Sequence, residues 1–175
     1  MMFLHKFGLF YSWLVWAVTF FLPDIAVFMR CRGWLYARVM KKSGRNFQVS
    51  SGARLYSIKR LSVGDDVFIA TNVVVNAGTD IILGSQVMLG IGAILVSGNH
   101  TLCNGSYRFG QMARSPIAVG FGSWIGANST LVAGASIPPS TLIGANSVVT
   151  KPLQFSGTYC GAPAKLIKKN DVGTL

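Results

Sequence analysis

Few side chains in this sequence can move a proton. The 175 residues hold two histidines and five acidic groups, and every acidic group is aspartate. His5 precedes a hydrophobic run, whereas His100 closes the tripeptide Gly-Asn-His at residues 98–100, directly before a polar stretch. An imidazole ordinarily changes charge near neutrality, so His100 is the natural general base. Three histidine ligands for a catalytic metal are not available, which argues against a three-histidine metal site. Cys103 follows three residues later, but no second histidine lies near it in sequence to activate a thiolate, and it reads as a small loop residue.

His100 sits inside a repeat. From Val119 an aliphatic residue returns every six positions, at Ile125, Leu131, Ile137, Ile143 and Val149, and glycine follows at Gly120, Gly126 and Gly144. A strand needs a period of two and a helix 3.6, so a beat of six demands a coil of three short strands and three tight corners, about eighteen residues per circuit. The same beat runs earlier through Val49, Leu55 and Leu61, then Val63, Ile69 and Val75, then Leu83, Leu89 and Leu95. It slips wherever an apolar-x-apolar-Gly phrase occurs, LSVG at 61, IILG at 81 and IAVG at 117, so these phrases mark coil starts. Residues 44–46 read as the linker into the solenoid. Residues 101–116 break the beat and are polar, Gly-containing and closed by Ser-Pro, which predicts a loop thrown out from one corner.

Stacking then suggests neighbours for the base. Residues 95–100 share a phase with 75–80 one coil earlier, which places Asp80 beneath His100 and Asn76 beneath Val96. A carboxylate there would fix the imidazole tautomer, or it would bond turn amides instead. Asn76 is the candidate contact to a substrate hydroxyl.

Three features together resemble the hexapeptide-repeat acyltransferases, the left-handed parallel β-helix family that includes the sugar O-acetyltransferases: the six-residue beat, the Gly-Asn-His with its following loop, and the closing phrases SVVTKPL and GAPAKLIKK within residues 147–169. The resemblance runs over residues 46–169. The expected fold class is therefore all-β, a left-handed parallel β-helix with an N-terminal hydrophobic helical extension and a short C-terminal tail. The divisions fall at 1–45 for the arm, 46–155 for the solenoid domain and 156–175 for the basic tail.

In that family the histidine at this place is the catalytic base, and acetyl-CoA is the co-substrate. By motif match the resemblance implies coenzyme contacts at the small corner residues Ala127 and Ala145 and at Thr150 and Lys151, with Lys165 and Lys168 meeting the phosphates. It also implies a homotrimer with sites at subunit boundaries and transfer without an acyl-enzyme. The expected activity is O-acetylation of a sugar hydroxyl on a surface polysaccharide or its lipid-linked precursor. The alternatives are transfer to an amine, transfer from acyl carrier protein, and a non-catalytic membrane-docked scaffold.

Charge distribution narrows the partners. The formal net charge is +11, yet between residues 61 and 150 only Arg108 and Arg114 are basic, so no cationic stripe follows the solenoid and nucleic acid is not an expected partner. Three cysteines without a CxxC pattern argue against a disulfide framework. Residues 7–22 carry no charge and end at Pro23; on a helix, Gly8, Ser12 and Thr19 share one narrow face and large apolar residues cover the rest. Sixteen residues rise about 24 Å, short of the roughly 30 Å hydrocarbon core. Arg30, Arg32, Arg38, Lys41, Lys42 and Arg45 follow, interleaved with Trp34 and Tyr36. This arm suits the anionic cytoplasmic face of an inner membrane, or else it packs on the solenoid or a neighbouring subunit.

Overall fold

The computed structural model describes residues 2–170, with side chains from residue 7 onward. From Lys42 the chain winds as a parallel β-solenoid with three faces. The first face stacks Lys42–Ser43, Leu61–Val63, Ile81–Leu83, Ile117–Val119 and Ser136–Ile137 as five strands. The second begins with Gln48–Val49, Phe68–Ile69 and Met88–Leu89, and ends with the pair Gly157–Cys160 and Lys165–Lys169. The third runs from Arg54–Tyr56 through Val74–Asn76, Ile94–Val96 and Thr130–Val132 to Val148–Val149.

The beat residues point inward at or near the end of each short strand, just before a corner. Val63, Ile69, Val75, Leu83, Leu89, Leu95, Val119 and Ile125 are all buried and form one continuous core. Register confirms the coil starts: Val63 pairs with Leu83, Leu83 with Val119 and Val119 with Ile137. The start of the solenoid differs from expectation. Lys42 and Ser43 already pair with Ser62 and Val63, and the Gly44 N–H donates to the Val63 carbonyl at 2.9 Å, so residues 44–46 are the first corner rather than a linker. The inward position there is Ser43, which breaks the hydrophobic beat and conceals where the coil begins.

Small hydroxyl residues fill a second inward position two residues ahead of the beat. The Ser123 hydroxyl donates to the Pro138 carbonyl at 2.9 Å and accepts from the Thr141 N–H at 3.1 Å. Ser129 repeats this one corner on, donating to Gly144 O at 2.8 Å and accepting from Ser147 N–H at 3.3 Å. Backbone groups at the corners cannot join the strand ladders, so these buried side chains satisfy them.

Two helices, α1 (Met2–Thr19) and α2 (Ala26–Ala37), pack on the first coil. The narrow face of α1 is the one turned inward: Ser12, Val15 and Thr19 are buried, and the Ser12 hydroxyl donates to Leu55 O. Small residues let the helix backbone approach the coil, leaving Phe10, Trp13 and Val18 on the outside. In α2, Gly33 lies where an added Cβ would sit 1.9 Å from the Phe47 carbonyl oxygen. Arg32, fully buried, ties the helical turn to the coil through Asp24 at 2.7 Å and the carbonyls of Thr19, Leu22 and Val49. Among the described residues, no helix is long and apolar enough to cross a membrane.

Candidate active site

His100 is presented by a hairpin that leaves the solenoid. After Ser97 the chain turns out of the third coil, and Gly98–His100 pairs antiparallel with Met112–Arg114, with His100 opposite Met112. The segment between them is a closed loop. The Thr101 hydroxyl donates to Gln111 O at 2.7 Å across its base, and Gly110 is packed against the Thr101 carbonyl too closely for any Cβ. The imidazole is exposed, so it can receive a proton from a bound molecule without first displacing protein.

The hairpin base borders a cleft of about 320 Å3, lined by Leu9 of α1, Tyr56, Arg60, Asn76, Gly98 and Arg114 among others. Asn76 lines this cleft and pairs with Val96 in the expected register. Asp80 does not serve His100. Its carboxylate accepts from the Lys41 ammonium at 2.7 Å, and its carbonyl accepts from Ile117 N–H, so the returning chain and not His100 occupies the level above it. The stacking rule fails there because the hairpin departs from the coil two residues before His100. Among the described residues no side chain hydrogen-bonds the ring.

A second cleft, about 400 Å3, opens where the last coil meets the C-terminal hairpin, lined by Lys151, Leu153, Phe155, Tyr159, Lys165 and Leu166 among others. It combines an apolar floor with cations at its rim, and the Lys169 ammonium stacks on the Phe155 ring at 3.9 Å from its centroid. Thr150 is exposed beside Lys151, but Lys168 pairs with Thr158 outside the lining. Ala127 and Ala145 stack on a different corner, where Asn146 N–H donates to Ala127 O at 2.9 Å. Their own N–H groups make no hydrogen bond among the described residues, so each can donate to a ligand. Within one chain the six expected coenzyme contacts are thus divided: Ala127 and Ala145 lie on one corner, Thr150 and Lys151 on the next with the third face between them, and Lys165 and Lys168 on the C-terminal strand. A larger cleft of about 620 Å3, between α2 and the first corner, is lined by Arg30, Trp34 and Arg45 and contains no base.

No family model matches the chain. Galactoside O-acetyltransferase of Escherichia coli K12 is 27% identical over 126 residues, which are 72% of this chain and 52% of that protein. An E. coli K12 protein carrying the provisional name of a lipopolysaccharide biosynthesis O-acetyl transferase is 29% identical over 137 residues, 71% of this chain and 58% of that one. The chain thus spans little more than half the length of these curated relatives. Among solved structures, a hexapeptide-repeat acetyltransferase of Vibrio cholerae complexed with acetyl coenzyme A superposes with a TM-score of 0.78 at 21% identity, over 94% of this chain and 87% of that one. The chain has the fold of the hexapeptide-repeat acetyltransferases.

On this fold, sequence reasoning missed several lining residues of both clefts. Tyr56 and Arg60 close the first coil and Leu9 reaches in from α1, so only the packing of helix on coil brings them to Asn76. Arg114 had a visible signal, being one of two cations between residues 61 and 150, but its place opposite Gly98 depends on the hairpin register.

Proposed function

We propose that this protein is an acetyl-CoA-dependent O-acetyltransferase acting on a sugar hydroxyl, of a surface polysaccharide or a lipid-linked glycan precursor, with His100 as general base. The observation that carries this is an exposed imidazole on a hairpin whose base borders a cleft lined by Asn76 and two arginines, in a solenoid whose last coil opens a second, cation-rimmed cleft. The imidazole takes the hydroxyl proton as the sugar oxygen bonds to the thioester carbonyl carbon. The C–S bond then breaks, and the leaving coenzyme A thiolate recovers that proton from His100. No acyl-enzyme is needed, and holding both substrates together supplies much of the rate. Acetyl-CoA would use Lys151 and Lys165 for its phosphates, as point cations suit them, and the bare amides of Ala127 and Ala145 on the facing corner of a neighbouring subunit. A homotrimer brings such corners together.

The same reading puts the protein on the cytoplasmic surface of the inner membrane. Phe10, Trp13, Val18 and Val27 are each more than half exposed and Phe21 is 87% exposed, forming an apolar ridge on the outside of the arm. Arg30 stands on the neighbouring helix and Arg38 at its C-cap, over the Trp34 ring at 4.0 Å. An amphiphilic ridge of this kind lies in the headgroup boundary with its helix along the surface.

Incubation of the purified protein with labelled acetyl-CoA and a panel of glycans and amino sugars tests the reading. Label entering a sugar ester, lost on mild alkaline hydrolysis, is expected. Transfer only to amines, or to nothing, overturns it. Separately, W13S/F21S should lose sedimentation with vesicles containing anionic phospholipid, and unchanged sedimentation rejects the membrane assignment.

A further inference from the structure

The cleft at the base of the His100 hairpin contains more positive charge than a neutral sugar requires. Arg60 follows the first coil, and its guanidinium donates to the Gly78 carbonyl. Arg114, on the returning strand of the hairpin, brings its Nε to 3.9 Å from the point where a Cβ on Gly78 would stand. Two guanidiniums from distant parts of the chain therefore converge on one glycine, in a cleft that Asn76, Tyr56 and Gly98 also line.

No carboxylate answers them. Among the described residues, Asp24 is committed to Arg32, Asp65 to Arg45, Asp66 to Asn46 and Asp80 to Lys41. The Arg114 side chain has no hydrogen-bond or ion-pair partner among the described residues, though its backbone pairs with Gly98. Like charges brought together without a counterion repel, and planar guanidinium forks match the oxygens of an oxyanion. Gly78 leaves the space between them open, as a side chain there would fill it.

We propose that Arg60 and Arg114 hold a phosphoryl group carried by the acceptor, so that this site takes a glycan phosphate or diphosphate and not a neutral sugar. The inference rests on the transferase reading for the word acceptor, but the anion site itself does not depend on it. A diphosphate seated at Gly78 would anchor its sugar within the cleft that the His100 hairpin borders. That diphosphate could come from a nucleotide-linked sugar or from a lipid-linked one. The apolar contribution of Leu9 places α1, whose outer ridge is also apolar, on the same cleft.

The full chain, first saturated with coenzyme A to fill the other cation-rimmed cleft, is titrated calorimetrically with inorganic pyrophosphate. R114Q should weaken binding about tenfold, the expected loss of one charge-assisted contact at a half-open surface. R60Q should do the same and R60K should retain most of the affinity. R114Q decides the matter by itself, since Arg114 lies exposed on the hairpin and its loss does not threaten the fold. UDP-glucose and glucose diphosphate on a short prenyl chain, titrated next, distinguish a soluble from a lipid-linked source, and tighter binding of either supports the site. Unaltered pyrophosphate affinity in R114Q, or glucuronate binding as tightly as glucose 1-phosphate, overturns the proposal. Coenzyme A failing to bind while pyrophosphate remains dependent on Arg114 would instead remove the transferase reading and leave the anion site standing.

Discussion

Replacing His100 with alanine should remove the base without disturbing the fold. The ring is exposed and holds no hydrogen bond among the described residues, so its loss opens no cavity and orphans no partner. The expected effect is a fall in kcat/KM for acetyl transfer of about 10²- to 10⁴-fold, the usual worth of a positioned base, or roughly 3–5 kcal/mol of barrier. Thermal stability should move by no more than ~0.5 kcal/mol, as for other exposed substitutions. The companion variant D80N is the sharper control. Asp80 sits at 2.7 Å from Lys41, and both side chains are about half exposed, so losing that ion pair costs about 0–1 kcal/mol of stability. Because the carboxylate does not reach His100, D80N should leave kcat/KM within about twofold, far from the ~10⁴-fold cost seen when a triad aspartate is lost. Initial rates with labelled acetyl-CoA and a competent acceptor measure both. An H100A enzyme retaining more than about a tenth of wild-type activity would refute the assignment of the base. A D80N enzyme as impaired as H100A would refute the geometry that separates the two residues.

Other perturbations test the frame. Burial pushes the Tyr36 phenol up to about 12 from 10.0, against the smaller opposing pull of Arg54 and Arg32. The unfolded chain therefore ionises first, and stability should be intact below pH 10 and fall by up to about 3 kcal/mol on the way to pH 12, a loss absent from Y36F in alkaline urea titrations. G33A should force α2 off the Phe47 carbonyl and cost about 1–3 kcal/mol, read by urea unfolding and by faster proteolysis of the arm. S129A leaves the buried Ser147 N–H without its acceptor and should cost about 1–3 kcal/mol, whereas a loss under ~0.5 kcal/mol would mean the hydroxyl ladder is dispensable.

The solenoid was legible because its signal is periodic and redundant. Leu83, Leu89 and Leu95 each announce an inward position, and the slips at LSVG, IILG and IAVG located the coil starts that the register bears out. The start of the first coil was not legible, since Ser43 stands at its inward beat and the apolar repeat begins only at Val49. The hydroxyls of Ser123 and Ser129 were overlooked for the opposite reason: they recur at a fixed offset, but small polar residues resemble turn residues until their burial is known.

His100 could be singled out from its residue type and its place before a loop, and so could Asn76 from the phase of the repeat. What lies around them could not. Once the chain leaves the coil at Gly98, phase no longer says which residue stacks on which, and Asp80 went to Lys41 as a result. The hydrophobicity of residues 7–22 implied burial in protein or lipid. Packing decided that the small face of α1 meets the coil and the aromatic face does not. Local periodicity is written along the chain and can be read there. The meeting of Leu9, Arg60 and Arg114 at one cleft depends on contacts between segments dozens of residues apart, which only the folded coil, hairpin and helices bring within reach.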